Sequence, residues 1–317
     1  MRSESTFALL VVSVCSLLAG CADAPDPYTD DVPTKGHVLI MADEDLRSVV
    51  ESQEFVFESI YAKAELDIRY YPEADLLKAV LNDSVRCWIA SVEPGGDQEA
   101  YYAQRTIRPH VVPICTDAIA VVVNKRRKVE RISLPFLRSI LFNQSQRGPD
   151  WRMVLGTGYE WDAIAPFIAN VGSGAARALR DSLMGPDWSG PFRAQALAGV
   201  EEVIARVEAD SSAIGFVPFS AFSDLDNPPM KAMRARIQLV AVAQNDSSAA
   251  FFPNQSTLAD GSYPLRRPVH MVLAEGKSGL GTGFVSFVAN HKGQRIILKQ
   301  GLAPTKVPTR DVLIVDP

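Results

Sequence analysis

Gly172-Ser173-Gly174-Ala175 stands at the predicted start of a helix, where a glycine-flanked serine can serve two chemistries. First-turn N–H groups have no partner within the helix and the macrodipole puts positive potential there. The Ser173 hydroxyl with the N–H groups of Gly174 and Ala175 can therefore cradle an oxyanion. The same serine can instead cap its own helix, with Gly172 serving the turn, which is the commoner use of serine at that position. Asp43-Glu44 opens an earlier predicted helix, with Asp43 as N-cap and Glu44 as a dipole partner. Ser91 ends a third apolar run and is followed by Val92-Glu93.

The same residues argue against catalysis. Val171 occupies the place where a G-x-S-x-G nucleophile elbow needs glycine, and no histidine lies near Ser173 in sequence. His37, His110, His270 and His291 are scattered singly, and no C-x-x-C or other metal-ligand spacing occurs. The expectation is a binding protein with no catalytic residue, metal or cofactor.

The elements that must position these residues follow from periodicity. His37–Met41 reads as a strand, and Leu46, Val49, Val50, Phe57, Ile60 and Tyr61 give the apolar side of a helix after Asp43-Glu44. Leu66, Ile68 and Tyr70 repeat the strand, and Tyr71-Pro72-Glu73 opens a helix with Leu76, Leu77, Val80 and Leu81. A third run, Cys87–Ser91, leads through Glu93-Pro94-Gly95-Gly96 into a polar helix near Asp97–Gln104. Such alternation predicts a mostly parallel sheet with helices on both faces. Two extended runs, Val111–Cys115 and Ala118–Asn124, are separated only by Thr116 and Asp117, which suggests a crossing between two bodies. Further on, Ser133-Leu134-Pro135 is a capped helix start, Ala163–Ala169 a strand, Ser173–Leu183 and Gly199–Val207 helices, and Ala213–Val217 a buried strand.

The chain has 317 residues, 47% hydrophobic and 22% charged, with a formal charge of −5. That is an ordinary globular composition with room for one large or two ordinary domains, and nothing in it suggests nucleic acid. Arg2 precedes a run from Ala8 to Gly20 that is too short to span ~30 Å of hydrocarbon. It ends in Leu18-Ala19-Gly20-Cys21, which resembles the lipobox of bacterial lipoproteins, whose new N-terminal cysteine carries acyl chains. This predicts a signal peptide over residues 1–20, lipidation at Cys21 and a bacterial cell-envelope location, periplasmic or outer face. Pro25, Pro27 and Pro33 among Asp23, Asp26, Asp30 and Asp31 make residues 21–35 a predicted flexible tether. Cys87 and Cys115 then remain in the folded part, as two buried thiols or one disulfide.

The order of motifs is similar to that of the periplasmic phosphate-binding proteins of ABC transporters, the PstS type. Asp117–Asn124 (DAIAVVVN) resembles the family's DGIAVIVN segment. In family order follow Leu134–Leu141, Trp151, Gly172-Ser173-Gly174, Ala213–Val217 (AIGFV), Tyr263-Pro264, and Gly293-Gln294 with Gly301-Leu302-Ala303-Pro304. The resemblance spans residues 36–308. It implies an α/β type II periplasmic binding protein fold, two α/β lobes joined by two crossover strands with a ligand cleft between them. Lobe 1 would hold residues 36–116 and 263–317 and lobe 2 residues 117–262, with crossings near Asp117 and Tyr263.

For the site, the resemblance implies ligand contact from Asp43, Glu44, Ser91, Gly172, Ser173, Gly174 and Ala175. A carboxylate at Asp43 or Glu44 would accept the proton of a monoprotonated phosphate. The implied function is a lipid-anchored, monomeric receptor that binds phosphate or a related oxyanion for an ABC permease complex or sensor. Departures from the family pattern open an alternative, a binding-fold lipoprotein that has lost its ligand and acts as an envelope interaction or sensor protein. The family's arginine four residues before the serine is Ala169, its Ser-Gly-Thr ends in Ala175, and its serine at the second helix start is replaced by the region of Glu73 and Asp75. Glu93 would stand in for a lost aspartate, and Arg177, Arg180, Arg266 or Arg267 for the lost cation, with Arg266 or Arg267 favoured. Lys125-Arg126-Arg127-Lys128 reads as a solvated surface.

Overall fold

In the computed structural model the strand β1 (Lys35–Asp43) is buried on both faces, and its side chains divide between two cores by strict alternation. Val38, Ile40 and Ala42 face one core and Met41 the other, and in β3 (Cys87–Ala90) Cys87 and Ile89 face the first while Trp88 and Ala90 face the second. The structure describes residues 31–82, 85–143, 148–156, 162–190 and 192–307. The predicted signal peptide and Cys21 lie outside them.

In lobe 1, β1 leads through a short 3-10 turn (Glu44–Leu46) into α1 (Arg47–Ile60). Then come β2 (Lys63–Tyr71), α2 (Glu73–Val80), β3, α3 (Asp97–Gln104) and the long strand β4 (His110–Val123). Lobe 2 is built from β5 (Arg131–Ser133), α4 (Leu134–Phe142), α5 (Arg152–Leu155), β6 (Ala165–Ile168), α6 (Gly174–Met184), β7 (Gln195–Ala196), α7 (Val200–Ala209) and β8 (Ala213–Pro218). It continues with α8 (Pro228–Arg234), β9 (Gln238–Leu239), β10 (Ala241–Ala243), β11 (Ala250–Phe251) and α9 (Gln255–Ala259). The chain returns through β12 (Arg266–Leu273), α10 (Leu280–Ala289), α11 (His291–Lys299) and β13 (Ala303–Pro304).

The main sheet runs β2-β1-β3-β12-β4-β8-β6-β7, with β13 and β9 also pairing β4. Its flanks are parallel, as the alternation of elements predicts, but its centre is not: β12 is antiparallel to both β3 and β4, and β4 is antiparallel to β8. The two extended runs around Asp117 are one continuous strand. Residues 110–118 of β4 pair with β12, and residues 119–123 pair with β8. The return segment lies beside this change of partner: Ile119 N–H donates to Leu265 O at 2.8 Å and Tyr263 Oη donates to Ile119 O at 2.7 Å. Gly215 on β8 is needed for close packing, since a Cβ there would sit 2.8 Å from both Val122 and Val203 and push α7 off the sheet.

A small sheet, β11-β10-β5, has no counterpart in the sequence reading, because its two- and three-residue strands carry no periodicity. The expected tether over residues 21–35 needs correction at its folded end. Asp31 accepts from the Leu280 N–H at 2.9 Å, capping α10, and pairs with Lys277, so residues 31–35 are packed on lobe 1. Cys87 and Cys115 are free and buried. They flank β12 four register positions apart, opposite Leu273 and Val269, too far for a bridge. No helix among the described residues is long and apolar enough to cross a membrane.

Candidate functional site

The C-terminal end of β1, the start of α2 and the end of β3 bring three lobe 1 loops against the N-terminus of α6 in lobe 2. The convergence is tight at Gly174. A Cβ there would collide with Asp43 Oδ2 and sit 2.7 Å from Ser91 Oγ and 2.8 Å from Glu73 Oε2. Only glycine lets the lobes close to this separation. Asp43, Asp45, Glu73, Ser91, Ser173 and Ala175 are all buried, so the centre of the cleft is shut from solvent.

Each sequence-predicted site residue can be placed. Ser173 caps α6, its Oγ accepting from Ala176 N–H at 3.2 Å. Ala175 N–H points across the cleft, as a cradle requires, and donates to Asp45 Oδ2 at 2.7 Å. Asp43 caps the 3-10 turn, accepting from Asp45 N–H at 3.3 Å, while its second oxygen has no hydrogen-bond partner. Glu44 lies at the rim and accepts from Asn170 Nδ2 at 3.0 Å. Gly172 also bridges the lobes, its carbonyl accepting from Ala74 N–H at 3.0 Å. Ser91 donates from both N–H (3.1 Å) and Oγ (2.9 Å) to Glu73 Oε2. Glu93 does not join them: it is exposed and pairs with His270 Nε2 at 3.1 Å.

The cations come from two places. Arg177, on the first turns of α6, forms an ion pair with Glu73 and donates from Nη2 to Ser91 O (3.0 Å) and Oγ (3.2 Å). Of the Arg266/Arg267 pair, Arg267 reaches the cleft and Arg266 is exposed. Arg267 is the register partner of Asp117 on the crossing strands, and both Nε (3.1 Å) and Nη2 (2.8 Å) donate to Asp117 Oδ2. Its Nη1 lies 3.5 Å from Asp45 and 3.7 Å from Asp43, makes no hydrogen bond and is buried. Asp117 also accepts from Ser220 N–H (3.0 Å) and Oγ (2.8 Å), tying the crossing to the end of β8.

These groups set one another's protonation. Burial, then the Asp45 carboxylate, holds Asp43 well above the usual carboxylate range against the opposing pull of Arg267. Burial alone would push Arg267 down, but Asp117, Asp45 and Asp43 together raise it. Arg177 is likewise penalised by burial and raised overall by Glu73 and Asp181. Burial raises Glu44, with the Asn170 hydrogen bond opposing. The cleft thus contains four buried carboxylates, Asp43, Asp45, Glu73 and Asp117, against two guanidiniums.

Sequence reasoning missed Asp45. It follows Asp43-Glu44 directly and looks like a first-turn dipole partner; only the fold reveals that it reaches the opposite lobe. Arg267 was visible as a cation near the second crossing, and its pairing with Asp117 follows from the register of β4 with β12.

A family model described as the PBP superfamily domain matches residues 29–292. The phosphate-binding protein PstS of Pseudomonas aeruginosa is 19% identical over 96% of this chain and 94% of its own length. The phosphate-binding protein PstS 2 of Streptococcus pneumoniae is 25% identical over 35% of this chain, a match spanning 32% of that protein. Among solved structures, a Clostridium perfringens phosphate ABC transporter substrate-binding protein with bound phosphate superposes with a TM-score of 0.68 at 19% identity, covering 86% of this chain and 100% of that one. An ABC-type phosphate transport receptor from Vibrio cholerae gives 0.63 at 16% identity, covering 85% and 100%. At such identities the structural likeness shows the fold alone. The family consists of solute-binding domains rather than enzymes. With its matched residues spanning both lobes and the cleft, the chain belongs to the PBP superfamily, with the type II two-lobed fold of phosphate-binding proteins.

Proposed function

We propose that this protein is the envelope-anchored receptor of an ABC importer, lipidated at Cys21, and that its solute is an oxyanion of the phosphate class taken between the lobes. One observation carries the reading: Ala175 N–H, in the first turn of α6, points out of lobe 2 and is met by an anionic oxygen from lobe 1. An anion position at a helix N-terminus, flanked by Ser173 and backed by Arg267, is the chemistry an oxyanion receptor uses. The names of the relatives, phosphate-binding proteins and phosphate transport receptors, support the same class of solute. The ligand contacts proposed are Asp43, Glu44, Ser91, Gly172, Ser173, Gly174 and Ala175, with Arg267 as the cation in place of the arginine absent at Ala169.

A second reading is favoured by the acidic lining. Four buried carboxylates against two guanidiniums repel a dianion, as expected of a binding-fold lipoprotein that has given up its solute and works through an envelope partner. Thermal unfolding with phosphate, sulfate and other oxyanions separates the two. A ligand at ten times its dissociation constant adds about 1.4 kcal/mol. No shift with any oxyanion, or a shift left unchanged by Ser173→Ala, would sink the receptor reading. Palmitate labelling of wild type against Cys21→Ser tests the anchor separately, and equal labelling refutes it.

A further inference from the structure

The anion position at α6 is already filled, and the group that fills it belongs to the chain. Asp45 leaves the 3-10 turn of lobe 1, crosses the cleft and accepts the Ala175 N–H of lobe 2 at 2.7 Å. A carboxylate oxygen carries charge and lone pairs much as an oxygen of a bound oxyanion does, so it satisfies the same helix terminus. Beside it, Arg267 Nη1 lies 3.5 Å from Asp45 Oδ2, so the cation that would steady a solute also faces this carboxylate.

Three further contacts hold the lobes in the same position. Glu73 of α2 takes Arg177 of α6, and between them they use the N–H, Oγ and carbonyl of Ser91. At the rim Glu44 accepts from Asn170, and the Ala74 N–H donates to the Gly172 carbonyl. Every lobe 1 loop at the cleft therefore meets a lobe 2 partner through the protein's own polar groups. The inventory is not closed, however. Asp43 Oδ2 and Arg267 Nη1, both buried, face each other across 3.7 Å without a hydrogen bond. An unpartnered acceptor and an unpartnered donor so placed mark the part of the cleft that the internal carboxylates leave unsatisfied.

We propose that Asp45 is a tethered occupant of the oxyanion position: it closes the lobes on the chain's own carboxylate in the absence of solute, and a solute enters only by displacing it. This rests on the receptor reading for the identity of the solute, but not for the closure. Because the occupant is covalently attached, its local concentration is fixed and high, and the apparent affinity for any free oxyanion falls accordingly. Asp45 in this sense sets the affinity of the cleft rather than its choice among anions. It sets a threshold that an anion must exceed, and Glu73, in place of a neutral residue at the second loop, raises that threshold.

The test uses the full chain and two measurements. Calorimetric titration with inorganic phosphate, and separately with sulfate, is compared between wild type and Asp45→Ala. Hydrogen exchange is followed over residues 172–178 and 87–92 without any anion. The expected result is phosphate affinity at least tenfold tighter in Asp45→Ala. Exchange over residues 172–178 should be slow in anion-free wild type and at least tenfold faster in the variant. Asp45→Asn, which keeps an acceptor but not the charge, should fall between the two and serves in place of alanine if that variant does not fold. Phosphate binding no tighter in either variant than in wild type, with exchange also unchanged, overturns the proposal. Fast exchange over residues 172–178 in anion-free wild type overturns it from wild type alone. Faster exchange in the variant with no binding of phosphate or sulfate upholds the tethered occupant and removes the receptor reading instead.

Discussion

Replacing Arg267 by methionine isolates the charge balance at the back of the cleft. The side chain is 1% exposed and is held by two hydrogen bonds to Asp117 Oδ2, with Asp45 and Asp43 at 3.5 and 3.7 Å. Methionine matches much of its length and removes the cation, leaving Asp43, Asp45 and Asp117 buried without a counter-charge. Removing one partner of a buried ion pair costs about 3–5 kcal/mol, because the remaining charge is left desolvated. Three carboxylates depend on this one guanidinium, so the upper half of that range is expected at pH 7. In a chain of this size each kcal/mol moves the midpoint by about 2 °C, giving a fall of about 8–10 °C. Calorimetric melting of wild type, Arg267→Met, Asp117→Asn and the double variant provides the measurement. The double variant should lose at least about 1 kcal/mol less than the sum of the singles, because Asp117→Asn removes one of the stranded charges. The deficit of Arg267→Met should also shrink as pH falls, with Asp43 taking a proton first. A loss below about 1 kcal/mol, or strict additivity, would show that water screens this pair and that the cleft is not shut.

Substitutions at two further positions test the lining. Asp43 has its native pKa raised by burial and by Asp45, so the stability tied to its proton is complete below the unfolded value of about 4 and is lost as pH rises through the native value. Asp43→Asn, permanently neutral, should melt with wild type near pH 4 and increasingly above it at higher pH; a difference that is flat with pH, or reversed, contradicts the assignment. Arg177→Ala strands Glu73, whose side chain is 2% exposed, and should cost about 2–3 kcal/mol in chemical denaturation. Arg177→Lys should not restore it, since a single ammonium cannot span Glu73, Asp181 and the Ser91 carbonyl together; full stability of the lysine variant would refute that geometry.

Much of this architecture was legible in the sequence for physical reasons. Helices with a strong apolar stripe or a cap, such as α2 after Pro72, α4 after Ser133 and α6 after Ser173, announce themselves through side-chain chemistry local to the chain. Strands buried on both faces, such as β8, read as unbroken apolar runs. The antiparallel centre of the main sheet was not legible, because direction is set by where β4 and β12 meet and not by composition. In the site, the start of α6 was readable because Gly-Ser-Gly before a helix is a local signal. The occupant of that start was not, because Asp45 is separated from Ala175 by 130 residues and nothing local distinguishes it from an ordinary first-turn acid.

The continuity of β4 bears on how such a protein can be taken apart. Because residues 110–118 complete one half of the sheet and residues 119–123 the other, the lobes have no seam between them that can be cut without breaking a strand ladder. A gene fragment ending at Asp117 would lack β12, the strand that joins β3 to β4, and one beginning at Ile119 would leave β12 without its β4 partner. Neither lobe is therefore a transplantable module. Swapping ligand specificity between relatives of this architecture is a matter of exchanging the loops that cap the strands, with the shared strand kept as a single inherited part.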